Sequence, residues 1–252
     1  ERSRALEILD QRKGEMITVI MHEFRTPLGI VQSSADLLAS GLLAEASAME
    51  RVADALRKGV LRLTDLVNQV RELALVSAPG RNNGGRGGLA LTRSEIDLQE
   101  MFSQIERQFS EIVKARGQSF QVEVQKGAGT VYADAPLLLI VLDKLVSNAI
   151  RFTPDGGEIR LSAERRAGMV TIAVRDNGLG IEKSQQRLIY EKFYEVGEAM
   201  LHSSGRFEFK SAGLGVGLAV VQAILDQHAS AIELDSTPGK GSKFYFSLPV
   251  AA

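Results

Sequence analysis

A glycine-rich segment divides the chain into two parts of different composition, and this division limits the fold more than any other feature. Residues 79–88, PGRNNGGRGG, contain five glycines and no large apolar residue, which is typical of a flexible linker or an exposed loop. The part before it shows only helical spacing, whereas the part after it mixes strand-like and helical segments. We therefore expect a first domain over 1–78, a linker over 79–90 and a second domain over 91–252.

The first part is expected to be an antiparallel helical hairpin. Apolar residues step along it by threes and fours, which places each of two sets on one face of a helix. The sets are Ile17, Ile20, Phe24, Leu28, Val31, Ala35 and Leu38, and then Val52, Leu56, Gly59, Leu63, Leu66, Val70 and Leu73. Gly41 and small residues between the sets favour a turn. Because a two-helix hairpin has too small a core to stand alone, we expect two copies to form a dimeric four-helix bundle.

The second part is expected to be an α+β sandwich. Five segments alternate or cluster β-branched and aromatic residues as strands do, and helical segments near 98–115, 135–152 and 215–228 separate some of them. The strand-like segments are SFQVEV, GEIRLSA, GMVTIAVRD, SAIELDS and GSKFYFSLP. Because these strands are grouped partly in neighbouring pairs, their order favours an α+β sandwich over a wound parallel sheet.

Composition excludes several kinds of site and partner. The 252 residues include no cysteine and only 3 scattered histidines, which excludes disulfides, thiolate catalysis and metal sites built on cysteines or clustered histidines. A formal charge of −1 indicates neither nucleic acid nor a membrane surface as a partner. The longest apolar run, Leu137 to Leu142, is far shorter than the roughly 20 residues of a membrane-spanning helix. The charged first residues resemble neither a signal peptide nor an anchor, so we expect a cytoplasmic location.

A histidine, an acidic residue and a threonine-proline pair follow one another closely in the first helix. At about 100° per residue, His22 and Thr26 face away from the apolar stripe and lie one turn apart. Pro27 removes one helical hydrogen bond beside them, which predicts a bend at a site open to a visiting domain. The stretch HEFRTPL resembles the phosphoacceptor box of sensor histidine kinases. The resemblance implies that His22 accepts a phosphoryl group, that Glu23 acts as general base and that Thr26 supports dephosphorylation of a partner.

The second part contains three glycine-rich loops, DNGLG, GLGVGL and TPGKGS, and no P-loop motif. Glycines let a backbone approach a phosphate closely, and the start of a helix offers it free N–H groups. Four segments resemble, in order, the N, G1, F and G2 boxes of the histidine-kinase ATP-binding domain, which belongs to a superfamily shared with gyrase, MutL and heat-shock chaperone ATPases. They are SNAIRFTPDGGEI (147–159), DNGLGI (176–181), YEKFYEV (190–196) and SAGLGVGL (211–218). The resemblance covers nearly the whole chain and implies a Bergerat-type fold that binds ATP and Mg²⁺.

The resemblance assigns roles to individual residues of these boxes. Asn148 matches the asparagine that coordinates Mg²⁺, and Arg151 stands where a lysine usually touches phosphate. Phe152 occupies the aromatic position beside the adenine, and Asp176 matches the carboxylate that accepts a hydrogen bond from the adenine amino group. The loop glycines that the resemblance carries over are Gly178, Gly180, Gly213, Gly215 and Gly217.

The predicted lid and two departures from the family pattern complete the second part. Phe193 resembles the F-box anchor at the start of a polar, lid-like stretch, in which Lys210 is a candidate phosphate contact. Lys144 stands one turn before Asn148, where an asparagine is usual, and we expect its ammonium to repel Mg²⁺ rather than to bind the phosphates. Glu195 replaces an arginine that is common just after the F box.

These expectations describe an ATP-dependent protein-histidine kinase. It would autophosphorylate on His22, pass the phosphoryl group to an aspartate of a response-regulator receiver domain, and act as a phosphatase too. The implied partners are a second copy of the chain, the receiver domain and an upstream sensor domain. Two alternatives stay open: a nucleotide-binding dimeric scaffold, if Lys144 and Glu195 weaken the metal and phosphate contacts, and a conformational ATPase of the same superfamily. The second alternative would not need the His22–Glu23 pair.

Overall fold

The computed structural model describes residues 2–40, 45–77, 91–194 and 214–251. The helices are α1 Arg2–Ala39, α2 Ala46–Ser77, α3 Leu98–Ala115, α4 Ala135–Phe152 and α5 Gly217–Gln227, and the strands are β1 Ser94–Asp97, β2 Ser119–Val124, β3 Thr130–Ala133, β4 Glu158–Arg166, β5 Met169–Asp176, β6 Glu233–Thr237 and β7 Gly241–Pro249. The predicted turn glycine Gly41 and the predicted linker over 79–90 lie outside the described residues, so the domain limits stay a prediction. Within the described residues, no helix is long and apolar enough to cross a membrane.

Helices α1 and α2 form the expected antiparallel hairpin. Glu23 of α1 pairs with Arg62 of α2, whereas Pro27 lies against Gly59, so contacts run in opposite directions along the two helices. A Cβ on Gly59 would lie 3.2 Å from the Pro27 carbonyl oxygen and 2.8 Å from a methyl group of Val31. The missing side chain at Gly59 therefore lets the two backbones approach closely. Pro27 is buried in this contact, and α1 continues on both sides of it.

The second domain has a layer of helices on a mixed sheet, which confirms the expected α+β sandwich. The sheet has five strands in the order β2-β4-β5-β7-β6, in which β2 and β4 are parallel and the other neighbours are antiparallel. Alternate residues of the central strands and the buried faces of α3, α4 and α5 share one hydrophobic core. The sequence pattern did not predict β1 and β3, which pair with each other over four residues. Strands of this length carry too short an alternation to be recognised.

Polar side chains hold both ends of α4, the helix that contains the predicted N box. Asp134 caps its first turn by accepting a hydrogen bond from a backbone N–H. At the other end, Gln118 Nε2 donates to the carbonyl oxygens of Ile150 and Thr153 at 3.1 and 2.8 Å, and Arg116 Nη2 donates to Thr153 at 2.9 Å. These donors satisfy carbonyl groups that the end of a helix leaves without partners. The orientation of α4 is thereby fixed at both ends.

A small hydrophobic cluster joins the second domain to α2. Its buried members are Leu66 and Leu73 of α2 with Leu214 and Val216 of the second domain, each at most 1% exposed. The half-buried residues around it are Ile20, Phe24, Val70 and Phe193. We call this set the interdomain cluster. It docks the second domain on the hairpin through the residues on either side of the predicted loop glycine Gly215.

Candidate functional site

His22 and Thr26 are exposed on α1, in agreement with the helical spacing of the sequence. Ile20 and Phe24, two residues on either side of His22, pack on the interdomain cluster. Because two residues correspond to about 200° around a helix, the imidazole of His22 points away from that cluster. Thr26 lines an open groove of about 550 Å³ between α1 and α2.

Arg62 of α2 belongs to the surroundings of His22, although the sequence analysis missed it. Its Nη2 lies 3.3 Å from Glu23 Oε2, and its Nη1 lies 3.8 Å from Asp65 Oδ2. The Arg62 and Glu23 side chains are 17% and 29% exposed, so the pair is partly shielded from water. The ion pair involves one carboxylate oxygen of Glu23 and leaves the other for a neighbouring N–H. No local pattern links Glu23 to a residue 39 positions away, so only the hairpin reveals this contact.

Asp176 is buried at the end of β5, with 8% of its surface exposed. Its Oδ1 accepts hydrogen bonds from the backbone N–H groups of Gly178 at 2.8 Å and Ser242 at 3.2 Å. Burial raises the pKa of the Asp176 carboxyl, and the two backbone donors offset only part of that rise. Both bonds use Oδ1, so Oδ2 remains for a donor on a ligand, such as the adenine amino group that the family resemblance implies.

Close backbone contacts shape the loop after Asp176. A Cβ on Gly178 would lie 2.3 Å from the carbonyl oxygen of Phe152, at the end of α4. A Cβ on Gly180, which has a φ of +67°, would lie 2.0 Å from the carbonyl oxygen of Thr237. Both distances are shorter than any van der Waals contact, so only glycine fits at these two positions. The structure thereby joins the predicted G1 loop to α4 and to the turn before β7.

The start of β7 supplies two residues that the sequence analysis did not assign to the site. A Cβ on Gly241 would lie 2.0 Å from the backbone oxygen of Asp176, and Ser242 donates its N–H to the Asp176 carboxylate. The glycine pattern TPGKGS was visible in the sequence and indicated a close backbone approach. It did not indicate the strand end that the turn approaches, because β5 and β7 become neighbours only in the sheet.

Asn148, Arg151 and Phe152 lie in the last turns of α4, and each is half-buried. The Arg151 guanidinium lies 5.4 Å from the centre of the Phe152 ring. The Phe152 carbonyl oxygen accepts a hydrogen bond from Leu179 N at 3.1 Å, which attaches the end of α4 to the loop after Asp176. The structure therefore brings the predicted N and G1 boxes together.

Phe193 and Gly215 connect the predicted F and G2 boxes. Phe193 N donates a hydrogen bond to the Gly215 carbonyl oxygen at 2.9 Å. Phe193 has a φ of +67°, a conformation that non-glycine residues adopt at a cost. Its side chain packs on the interdomain cluster rather than in the main core. Three residues before it, burial raises the pKa of Tyr190 to about 12.

Lys144 has a partner that the sequence did not predict. Its Nζ lies 2.8 Å from Glu72 Oε2 of α2 and 3.9 Å from Asp143 Oδ2. The expected uncompensated ammonium beside Asn148 is therefore neutralised by a carboxylate of the hairpin. Three other predicted residues, Glu195, Lys210 and Gly213, lie outside the described residues, and their roles stay predictions.

The donor set of the site fits a metal ion held mainly by a nucleotide. Among the described residues, no three histidine, aspartate or glutamate side chains are grouped so that they could hold a metal ion. Asn148 offers one neutral amide oxygen. Magnesium in nucleotide sites takes most of its ligands from phosphate oxygens and water, and few from the protein. A single half-buried amide on α4 is therefore consistent with the Mg²⁺ that the resemblance implies.

Two family models match the chain in the order that the sequence predicted. The model described as His Kinase A (phospho-acceptor) domain matches residues 12–79, and the model described as histidine kinase-, DNA gyrase B-, and HSP90-like ATPase matches residues 133–252. His22 lies within the first match, and Asn148 and Asp176 lie within the second.

Individual sensor proteins are similar to nearly the whole of this chain. The chain is 29% identical over 247 residues to the sensor-like histidine kinase SenX3 of Mycolicibacterium smegmatis, covering 96% of this chain and 58% of SenX3. It is 32% identical over 243 residues to the alginate biosynthesis sensor protein KinB of Pseudomonas aeruginosa, covering 94% of this chain and 37% of KinB. The chain thus spans only part of the length of these relatives.

A solved structure shares the fold across both domains. The histidine kinase ThkA, crystallised with the response regulator protein TrrA, superposes with a TM-score of 0.68 and 23% identity, covering 100% of this chain and 64% of that one. The fold, the two family models in this order and the relatives that match nearly the whole chain agree. The chain belongs to the sensor histidine kinases and contains their phosphoacceptor domain followed by their ATP-binding domain.

Proposed function

We propose that this chain transfers the γ-phosphoryl group of ATP to His22, passes it to an aspartate of a response-regulator receiver domain, and also dephosphorylates that receiver. The observation that carries the proposal is the presence, in one chain, of an exposed histidine beside a carboxylate and of glycine-rich loops packed around the buried Asp176. Membership in the sensor histidine kinases supports the two transfer steps, to His22 and then to the receiver aspartate.

The reaction at His22 forms a bond between a ring nitrogen and the γ-phosphorus and breaks the bond from that phosphorus to the oxygen bridging the β-phosphate. ADP is the leaving group. The other ring nitrogen must then give up its proton, and Glu23 accepts it through the carboxylate oxygen that Arg62 does not hold. Arg62 orients Glu23 for this role and prevents it from turning freely in solvent.

The nucleotide is held by backbone groups and by one carboxylate. Asp176 Oδ2 accepts from the adenine amino group, which favours adenine over guanine. Helix α5 begins at Gly217, and the side chain of its N-cap residue, Val216, does not cap it. The first N–H groups of a helix without such a cap are suited to binding phosphate oxygens. Bound Mg²⁺ would neutralise phosphate charge, with Asn148 as one of its oxygen ligands.

The docked arrangement of the two domains does not allow phosphoryl transfer to His22 within a single chain. His22 points away from the interdomain cluster, to which the second domain is attached. Either the second domain leaves α2, or the second domain of the other copy in a dimer reaches His22. A ten-residue glycine-rich linker would permit the first movement, since its ends can separate by about 35 Å.

The partners follow from the family. The phospho-acceptor domain implies a dimer, and a phosphorylated histidine on an exposed helix face is open to a receiver domain. ThkA, which shares this fold, was solved together with a response regulator protein. We propose a receiver aspartate as the second acceptor on this basis.

Substitution of His22 tests the proposal directly. Incubation with γ-labelled ATP should give acid-labile label on the parent chain and none on His22→Gln. The affinity for ATP should stay within a few-fold of the parent value, because the nucleophile and the proposed nucleotide site lie in different domains. Label that persists on the variant would exclude His22 as the acceptor, whereas ATP binding without any label on the parent would indicate a scaffold or a conformational ATPase.

A further inference from the structure

The side chain of Lys144 lies beside the proposed phosphate site. A Cβ on Gly217, the first residue of α5, would lie 3.9 Å from Lys144 Cδ. Along α4, Lys144 stands one turn before Asn148, on the same face of the helix. The stem of Lys144 therefore reaches the place where the N–H groups of α5 would meet phosphate oxygens.

The ammonium of Lys144 is nevertheless bound to the hairpin. Its Nζ lies 2.8 Å from Glu72 Oε2, and the two side chains are only 12% and 18% exposed. The carboxylate of Asp143 is farther away, at 3.9 Å, and its other oxygen accepts a hydrogen bond from Gln108 at 2.6 Å. Glu72 Oε2 is buried and makes no directed hydrogen bond within the described part of the chain, so the charge of Lys144 is what compensates it there.

The Glu72–Lys144 pair joins the same two surfaces as the interdomain cluster. Leu73, the residue after Glu72, is buried against Leu214 and Val216. Leu214 N also donates a hydrogen bond to Gln69 Oε1 of α2 at 3.4 Å. The ion pair thus forms only while the second domain is docked, and it breaks when this domain leaves α2.

We propose that Lys144 is a phosphate ligand of the ATP site and that Glu72 holds it away from that site while the second domain is docked. The inference rests on the proposed function, because it requires ATP to bind beside Asp176. ATP phosphates and Glu72 compete for one ammonium, so ATP binding releases the second domain from α2. Docking in turn weakens ATP binding by the same factor by which bound ATP weakens docking. This role replaces the repulsion of Mg²⁺ expected from the sequence.

Binding of a non-hydrolysable ATP analogue, measured by calorimetry on the full chain, tests the competition. Glu72→Gln keeps the shape of the side chain and removes its charge, and it should tighten binding about five-fold or more. Adding Lys144→Met to Glu72→Gln keeps the stem but removes the ammonium, and it should weaken binding again by a similar factor. Glu50→Gln, an exposed change on the same helix, should leave the dissociation constant unchanged.

A thiol at position 73 reports docking without any catalytic step. The chain has no cysteine, so Leu73→Cys would be its single thiol, buried under the second domain. Its alkylation rate should rise when Glu72→Gln is added and when the ATP analogue is added to the Leu73→Cys chain. Circular dichroism melts of each variant confirm that the helices remain folded during alkylation.

The outcomes separate this inference from the proposed function. If no variant binds the analogue, the proposed function fails and the inference fails with it. If the analogue binds but Glu72→Gln changes neither its affinity nor the alkylation rate, the inference alone fails. If Lys144→Met has no effect in the Glu72→Gln background, Lys144 is not a phosphate ligand.

Discussion

At the scale of single residues, the Asp176 carboxylate accepts two backbone hydrogen bonds through Oδ1, which leaves Oδ2 for the proposed adenine contact. In Asp176→Asn, the amide oxygen must take the place of Oδ1, because the two backbone donors require an acceptor there. The amide NH₂ then faces the adenine amino group, donor against donor. We expect ATP affinity to fall by about 1–3 kcal/mol, or roughly 5- to 150-fold, in a calorimetric titration. An unchanged dissociation constant would contradict the adenine contact.

The same variant should gain stability at neutral pH. Burial raises the pKa of the Asp176 carboxyl, so the charged form is less favourable in the folded chain than in the unfolded chain. This cost is absent below the unfolded pKa of about 3.9 and is fully present above the raised folded value. The melting temperature of Asp176→Asn should therefore exceed that of the parent at pH 7, and the difference should disappear toward pH 4. A variant less stable than the parent at pH 7 would show that the carboxylate stabilises the fold.

Thr26 provides a third residue-scale prediction. It lies one turn from His22 on the same exposed face and at the edge of the groove between α1 and α2. We expect Thr26→Ala to keep autophosphorylation of His22 and to lose dephosphorylation of the phosphorylated receiver, because the hydroxyl that would position water is removed. Release of inorganic phosphate from the receiver, followed over time, measures this. Equal phosphate release by parent and variant would show that Thr26 has no role in dephosphorylation.

At the scale of elements, two glycines inside helices should respond to alanine in opposite ways. Gly29 in α1 has nothing within 4 Å of an added Cβ, whereas at Gly59 in α2 that atom would meet Val31 at 2.8 Å. Alanine is favoured over glycine in a helix by about 1 kcal/mol. Gly29→Ala should therefore raise the melting temperature. Gly59→Ala should lose this gain or lower the melting temperature, because the two helices must separate at Pro27. Equal stabilisation by both changes would contradict the tight contact.

In the loops of the second domain, the sequence pattern reveals the glycines but not the residues that they contact. Five strands and the three helices of this domain follow from alternation and helical spacing in the sequence, and the structure confirms them, whereas β1 and β3 were not predicted. The glycines of DNGLG and TPGKGS were recognisable too, but their partners were not. Gly180 lies against Thr237 and Gly241 against Asp176 because the sheet brings distant segments side by side.

At the scale of the whole molecule, the hairpin leaves apolar surface exposed along one edge of each helix. Ile17, Met21 and Leu28 lie within about 40° of one another on α1 and are 53%, 58% and 45% exposed. Val60 and Val67 form a corresponding edge on α2 and are 48% and 54% exposed. On each helix, this exposed edge lies next to the residues that pack α1 against α2. A second copy of the hairpin would cover them in the expected four-helix bundle.

Two substitutions on α2 test this dimer face. Val67→Glu places a charge on the apolar edge, and Leu61→Glu places one about 110° away from it on a side chain of similar exposure. We expect Val67→Glu to shift the chain toward a monomer and Leu61→Glu to leave the dimer intact. Sedimentation velocity at several concentrations distinguishes the two. A dimer that tolerates Val67→Glu but not Leu61→Glu would place the interface on another face of the hairpin.

Sequence patterns alone are sufficient to predict the helical hairpin, the α+β sandwich and the family. They are sufficient because each signal is local: apolar residues at helical spacing in the hairpin, alternation in the strands, and short boxes around His22, Asn148 and Asp176. The positions of the site residues on their own elements follow from these patterns. Their chemical roles were carried over from the resemblance.

Which polar groups meet depends on how the helices and strands pack in the folded chain. Arg62 reaches Glu23, Ser242 reaches Asp176, and Glu72 of the hairpin reaches Lys144 of α4. Each contact joins residues far apart in the chain, and its partner is chosen by how the elements pack, not by any pattern around either residue. The Lys144 ammonium, which the sequence analysis expected beside a metal site, is therefore paired with a carboxylate of the hairpin. This happens because the second domain docks on α2 with Lys144 facing Glu72.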